Sequence, residues 1–259
     1  MIISRNMDKE LFYTVCSKII NSEHKYNGIG TYGEKTIHAV LKSYFEPYDD
    51  NHEQRTGKFV ADIVGENGII EIQTGGFDKL RNKLKEFLTV AKVTVVYPIP
   101  HNKWLISLNS ETGEAGRRRK SPHTGTIYDV FPELYKIKPF LNDDNFNLCL
   151  ILIDMDEYRC SPETAGLKRG RRKGYTRYDR IPLELVDEIH LCDKSDWLIF
   201  IPNGLSEEFT AKDFSAQAKI HISDAQLALN ILSHMGIVIR IGKKGNSYIY
   251  IVNSDSCPQ

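Results

Sequence analysis

Two β-branched runs joined by a tight turn constrain this chain more than any other feature. Phe59-Val60-Ala61-Asp62-Ile63-Val64 and Ile69-Ile70-Glu71-Ile72-Gln73 have strand length, and Gly65-Glu66-Asn67-Gly68 between them carries the Asn-Gly signal of a hairpin. Side chains alternate along a strand, so Val60, Asp62 and Val64 share one face, while Ile69, Glu71 and Gln73 share one face of the partner. With Glu66-Asn67 as the two-residue loop, Asp62 lies opposite Glu71. With Asn67-Gly68 as the loop, Asp62 lies opposite Gln73 and diagonal to Glu71. Either register gathers the three polar side chains on one side. Directly opposed side chains have Cβ atoms ~5 Å apart, where like charges repel. A divalent cation reverses that sign, and Mg²⁺ is commonly held by one or two carboxylates with waters completing its shell.

Further acidic residues extend the pattern. Over residues 32–45 the apolar Ile37, Val40, Leu41, Tyr44 and Phe45 follow helical spacing, and Glu34 joins their stripe through Ile37, His38 and Leu41, which points it towards the sheet. Thr31-x-x-Glu34 also fits a capping box, in which Glu34 only satisfies backbone donors at the helix start. Farther along, Asp154 and Asp156 follow the buried run 148–153 and share a strand face, forming a rival acidic pair.

Glu34 on a helix, then Asp62, eight intervening residues and Glu71-Ile72-Gln73 resemble the PD-(D/E)XK nuclease superfamily, in the variant where glutamine replaces the motif lysine. The resemblance spans about residues 7–106: a helix at 7–20, the Glu34 helix, the hairpin, an amphipathic helix at 77–90 carrying Leu80, Leu84, Phe87 and Leu88, and a strand at 93–97. It implies an α/β fold with a restriction endonuclease-like mixed sheet flanked by helices. It implies further that Asp62, Glu71 and the Ile72 carbonyl coordinate Mg²⁺, with Mn²⁺ able to substitute, and that Glu34 completes the shell directly or through water. Glu34, Asp62, Glu71 and Gln73 would then be the catalytic set of an endonuclease hydrolysing DNA phosphodiesters. An amide orients water but supplies neither positive charge nor a titrating proton. Lys58, Lys79 and Lys83 are the residues available to stand in for the missing lysine. The alternative is a non-catalytic DNA-binding or regulatory protein that retains a nuclease scaffold.

At 259 residues the chain has room for two domains, and 41% hydrophobic with 26% charged residues reads as soluble and globular. No apolar run reaches membrane-spanning length and no signal-peptide pattern opens the chain, so a cytoplasmic protein without a membrane partner is expected. The five cysteines are odd in number and show no C-x-x-C spacing, which argues against both a disulfide framework and a zinc site. Lys and Arg balance Asp and Glu at 34 each, so any attraction to polyanions must be local. Arg117-Arg118-Arg119-Lys120 is one basic cluster, and the stretch with Arg169, Arg171, Arg172 and Lys173 is a denser one; both lie in segments without helical or strand periodicity. Such loops suit contacts to the DNA backbone, which add affinity without specifying sequence.

The division expected is a nuclease-like domain at 1–158, a basic connector at 159–194 and a separate module at 195–253. That module reads as a short strand at 197–202, a helix at 210–219 capped by Thr210, a helix at 223–235 opened by the box Ser223-x-x-Gln226 and closed by Gly236, and strands at 237–241 and 247–252. The order resembles a winged helix-turn-helix domain. The resemblance implies that 223–235 is the recognition helix, with Gln226 and Asn230 on bases, and that Lys243 and Lys244 sit on the wing. That helix contains Asp224 and no Lys or Arg, so packing or dimerisation is its competing role. Cutting both strands of a duplex would call for a homodimer.

Overall fold

In the computed structural model, which describes residues 7–23, 35–109, 112–160 and 176–254, the β-branched runs form β2 (Phe59–Gly65) and β3 (Gly68–Ile72). Gly65 pairs with Gly68, so Glu66-Asn67 is the loop. Gly68 has φ +105°, and a Cβ there would meet the Lys92 carbonyl oxygen at 2.3 Å, so glycine is required on both counts. Glu34, Arg169, Arg171, Arg172 and Lys173 lie outside the described residues.

The hairpin belongs to a mixed seven-stranded sheet. β1 (His52–Thr56) pairs antiparallel with β2; β3 pairs in parallel with β4 (Val93–Leu108); β4 pairs in parallel with β6 (Phe146–Cys160); and β6 pairs antiparallel with β7 (Thr176–Leu191). The two-residue β5 (Arg119–Lys120) adds to β4 beside Trp104 and Leu105. β4 continues well past residue 97, through Pro98 and Pro100, to Leu108. Val96 turns its carbonyl to β3, where it accepts from the Gln73 N–H, so Pro98 and Pro100 carry their missing N–H groups on the side beyond the end of β3. There the lost donors break no ladder. β7 corrects the expectation of a connector without periodicity: residues 176–191 are held by paired positions along β6 from Leu148↔Leu191 to Cys160↔Thr176.

Helices cover both faces. α1 (Lys9–Glu23) and α2 (Thr36–Phe45) bury Phe12, Ile37, Val40 and Leu41 against Ile63, Ile72, Val96, Ile151 and Ile153. On the other face a 3-10 turn, Phe77–Leu80, runs into α3 (Arg81–Phe87), burying Leu80, Leu84, Phe87 and Leu88 as their spacing predicts. Phe87 is fully buried and meets Phe59 edge-on at 6.2 Å; its truncation to Ala would cost about 3–5 kcal/mol. α4 (Phe131–Lys136) takes Pro132 in its first turn, where a missing N–H costs nothing.

The C-terminal elements are β8 (Phe209–Thr210), α5 (Ala211–Ala218), α6 (Ile222–His234), β9 (Val238–Lys244) and β10 (Ser247–Val252), with the strands ordered β8-β10-β9. Thr210 caps α5 as expected, accepting from the Asp213 N–H. The cap of α6 is His221 and not Ser223: its Nδ1 accepts from the Ser223 N–H at 3.3 Å. Gly236, at φ +77°, follows the helix. The strand expected at 197–202 is instead a 3-10 helix, Lys194–Phe200. Three residues per turn bring Trp197 and Phe200 to one side, and both are buried. They join Phe209, Phe214, Leu229 and Leu232 in the same apolar cluster as Phe131 and Leu134. Lys138 also donates to Asn230 and Asn142 to the His234 carbonyl, so one flank of α6 lies against the segment after α4. Among the described residues no helix is long and apolar enough to cross a membrane.

Candidate active site

The hairpin loses its regular ladder where its acids sit. Continuing the Ile63↔Ile70 register by one step places Asp62 across from Glu71. There the Asp62 carboxylate, through Oδ2, accepts the Ile72 N–H at 2.8 Å, while the Asp62 N–H approaches Glu71 Oε1 at 3.4 Å. Two elements outside the hairpin complete the group. His38 of α2 brings Nε2 to 3.2 Å from Asp62 Oδ2. Lys83 of α3 brings Nζ to 3.0 and 2.8 Å from the two oxygens of Glu71.

The two carboxylates respond in opposite directions. Burial acts to raise the Asp62 pKa, but the bond and charge of His38, the Ile72 N–H and the charge of Lys83 outweigh it and hold Asp62 below the usual range. Glu71 is 1% exposed. Burial and then the charge of Asp62 push it up to about 7, even with Lys83 bonded to both oxygens. Two acids that repel across one point, with the inner one strained towards protonation, are a donor set that a small hard cation would relieve. The chemistry of these residues therefore fits Mg²⁺.

Lys83 stands where the glutamine of the motif leaves no charge. Lys58 and Lys79 are exposed, whereas Lys83 is partly buried against Glu71. Gln73 turns its amide onto the Gly75 carbonyl, which takes one of its two N–H donors. His38 is the member missed from the sequence, although it lies on the stripe shared by Ile37 and Leu41. Asp154 and Asp156 are each satisfied by protein donors: the Asn102 N–H and amide serve Asp154, and Arg118 pairs with Asp156 at 2.8 Å.

The expected nucleic-acid contacts separate into groups. Arg117, Arg118, Arg119 and Lys120 are all exposed, with Arg118 and Lys120 over the Trp104 ring at 4.3 and 5.8 Å. Gln226 and Asn230 line a cavity of about 450 Å³ together with Lys138, His234, Arg240 and Tyr248. Lys243 lies over the Tyr248 ring at 4.7 Å, and Lys244 is exposed beside it on β9.

Residues 35–192 match the family described as Domain of unknown function (DUF8091). An uncharacterized protein of Treponema pallidum (strain Nichols) is 28% identical over 230 residues, covering 86% of each chain. No solved structure matches the chain significantly. The family match takes in α2, the hairpin, α3 and the sheet as far as β7, and with them His38, Asp62, Glu71 and Lys83; the chain belongs to the DUF8091 family.

Proposed function

We propose that this chain is a Mg²⁺-dependent DNA endonuclease of the PD-(D/E)XK type, with Mn²⁺ able to substitute, carrying a C-terminal winged helix. The observation that supports this reading is the convergence of Asp62 and Glu71 from adjoining strands, with Lys83 bonded to the acid that burial drives towards protonation. Asp62 and Glu71, with the Ile72 carbonyl, would hold the cation; Glu34 is the further ligand that the family resemblance suggests. When bound, Mg²⁺ supplies an activated water and offsets charge on the phosphate. His38 and the Ile72 N–H keep Asp62 ionised and oriented. Lys83 spends two contacts on Glu71, and an ammonium has three donors, so one remains for a phosphate oxygen.

The order β8, α5, α6, β9, β10 supports the winged-helix reading, with Lys243 and Lys244 at the hairpin end. Asn230 accepts from Lys138, so Gln226 and the wing are the better placed to meet a duplex. The working protein would be cytoplasmic, and a homodimer where both strands are cut. Incubating plasmid DNA with the protein and Mg²⁺ or Mn²⁺ tests the proposal: nicking or linearisation should occur, and Asp62→Ala and Glu71→Ala should each abolish it. A second reading, a DNA-binding protein on an inactive scaffold, is favoured by the uncharged Gln73 at the motif position, whose amide also gives one N–H to the Gly75 carbonyl. Binding without cleavage in either metal would establish that one instead.

A further inference from the structure

Strand pairing brings together three residues that the nuclease reading does not use. Cys149 on β6 is directly paired with His190 on β7, and Glu188, two residues along β7, shares the His190 face. Cys149 Sγ lies 3.9 Å from His190 Nε2, and Glu188 Oε1 lies 2.6 Å from the same nitrogen. One ligand atom from each residue falls within 4.8 Å of the others. Cys149 is fully buried and the Glu188 side chain is 3% exposed. From α2, Tyr44 donates its hydroxyl to the second oxygen of Glu188 at 2.6 Å and accepts the Asp8 N–H at 3.2 Å.

Convergence on a single ring nitrogen separates two chemistries. A relay that activates a thiol sets the nucleophile on one imidazole nitrogen and the carboxylate on the other. Here both approach Nε2, and a thiol without solvent exposure cannot meet a substrate. Thiolate, imidazole and carboxylate aimed at one point are instead the donors of a borderline-soft cation. Tyr44 provides the outer hydrogen bond that orients a ligating carboxylate.

We propose that Cys149, Glu188 and His190 form a zinc site, with a water completing the tetrahedron, that cross-links β6 to β7 and reaches α2 only through the Tyr44–Glu188 hydrogen bond. Binding sends the Cys149 proton to solvent and leaves the His190 proton on Nδ1. It also widens the 2.6 Å His190–Glu188 contact to the roughly 3.3 Å expected of two ligands at zinc–ligand distances of about 2 Å. The site differs in kind from Asp62 and Glu71, which offer only hard oxygen donors.

The test uses the reduced full chain without a histidine tag. Titration with Co²⁺ should give a thiolate-to-cobalt charge-transfer band and tetrahedral visible bands that saturate at one equivalent. The bands should disappear in Cys149→Ser and His190→Ala and persist in Asp62→Ala. Zn²⁺ at a hundredfold excess over its Kd should raise the wild-type Tm by roughly 5–10 °C and leave Cys149→Ser unmoved. Circular dichroism shows whether the variants fold; if they do not, the wild-type cobalt spectrum decides alone. Absence of a charge-transfer band in the wild type, or a band that survives in folded Cys149→Ser, overturns the site. Neither result depends on whether DNA is cleaved.

Discussion

Asp154 and Asp156 on β6 and Asp62 and Glu71 on the β2–β3 hairpin are both pairs of acids at neighbouring sheet positions, and the surroundings treat them differently. Asp154 receives the Asn102 N–H at 2.8 Å and the Asn102 amide at 3.0 Å on both oxygens, while Asp156 has Arg118, itself laid over Trp104. Each of these acids is matched by donors of its own. On the hairpin, Glu71 is buried close enough to Asp62 to be driven up to about 7, and Lys83 only partly offsets the pressure. Acidic residue types therefore do not mark a cation site; electrostatic pressure that the protein leaves partly unrelieved does.

Cleavage kinetics offer the largest contrast. Asp62→Ala and Glu71→Ala should each lower Mg²⁺-dependent cleavage on the order of 10³-fold or more, whereas Asp154→Ala should stay within a few-fold of wild type. The reverse ranking would make β6 the site and end the contrast. The pH dependence of stability is the next test. The folded pKa of Glu71 lies above its unfolded value, so the native state holds a proton that the unfolded chain releases first, and stability falls as pH rises from about 4.5 to 7. In metal-free denaturant titrations, wild type should therefore lose about 2–3 kcal/mol relative to Glu71→Gln between pH 4 and pH 8. Added Mg²⁺ should return part of that loss to wild type alone. A difference independent of pH would show that Glu71 is under no such pressure.

Lys83→Met sharpens the comparison from the cationic side. It leaves Glu71 buried beside Asp62 without the ammonium that lowers its pKa, at a cost of about 1–3 kcal/mol for the ionised acid that shrinks as the pH falls and Glu71 takes up a proton, which it then does more readily than in the wild type. Thermal melts at two pH values read this directly. The smallest effect belongs to Arg118→Ala. Its side chain is 45% exposed, so its pair with Asp156 should contribute under about 0.5 kcal/mol to stability. If the exposed basic cluster meets DNA, the same variant should reduce the salt dependence of binding by about one ion without changing the cleavage step.

Short-range structure was readable from residue type. The hairpin, the helix faces of α2 and α3 and the Thr210 cap follow from alternation, spacing and a hydroxyl or glycine in the right place. Errors arose where a local rule had a distant exception. Pro98 and Pro100 mark a strand end only if a neighbour needs their N–H, and β3 stops before it would. Residues 176–191 look like connector until β6 supplies a long partner. Trp197 and Phe200 fit a strand as well as a 3-10 turn, and the shared core with Phe131 and Phe214 is compatible only with burying both on one side.

By itself the sequence gathered Asp62, Glu71 and Gln73 on a tight hairpin and left two registers open, because Glu66-Asn67 and Asn67-Gly68 serve equally as a two-residue loop; the Gly65–Gly68 pairing selects the one that sets Asp62 across from Glu71. Tertiary structure alone decided that Lys83 and not Gln73 meets Glu71, that Asn102 and Arg118 satisfy the rival acids, and that Cys149 meets His190 across a strand pair. Those contacts join residues 12, 52, 38 and 41 positions apart. No local propensity reaches that far; only the burial of both sheet faces under helices brings such side chains within bonding distance.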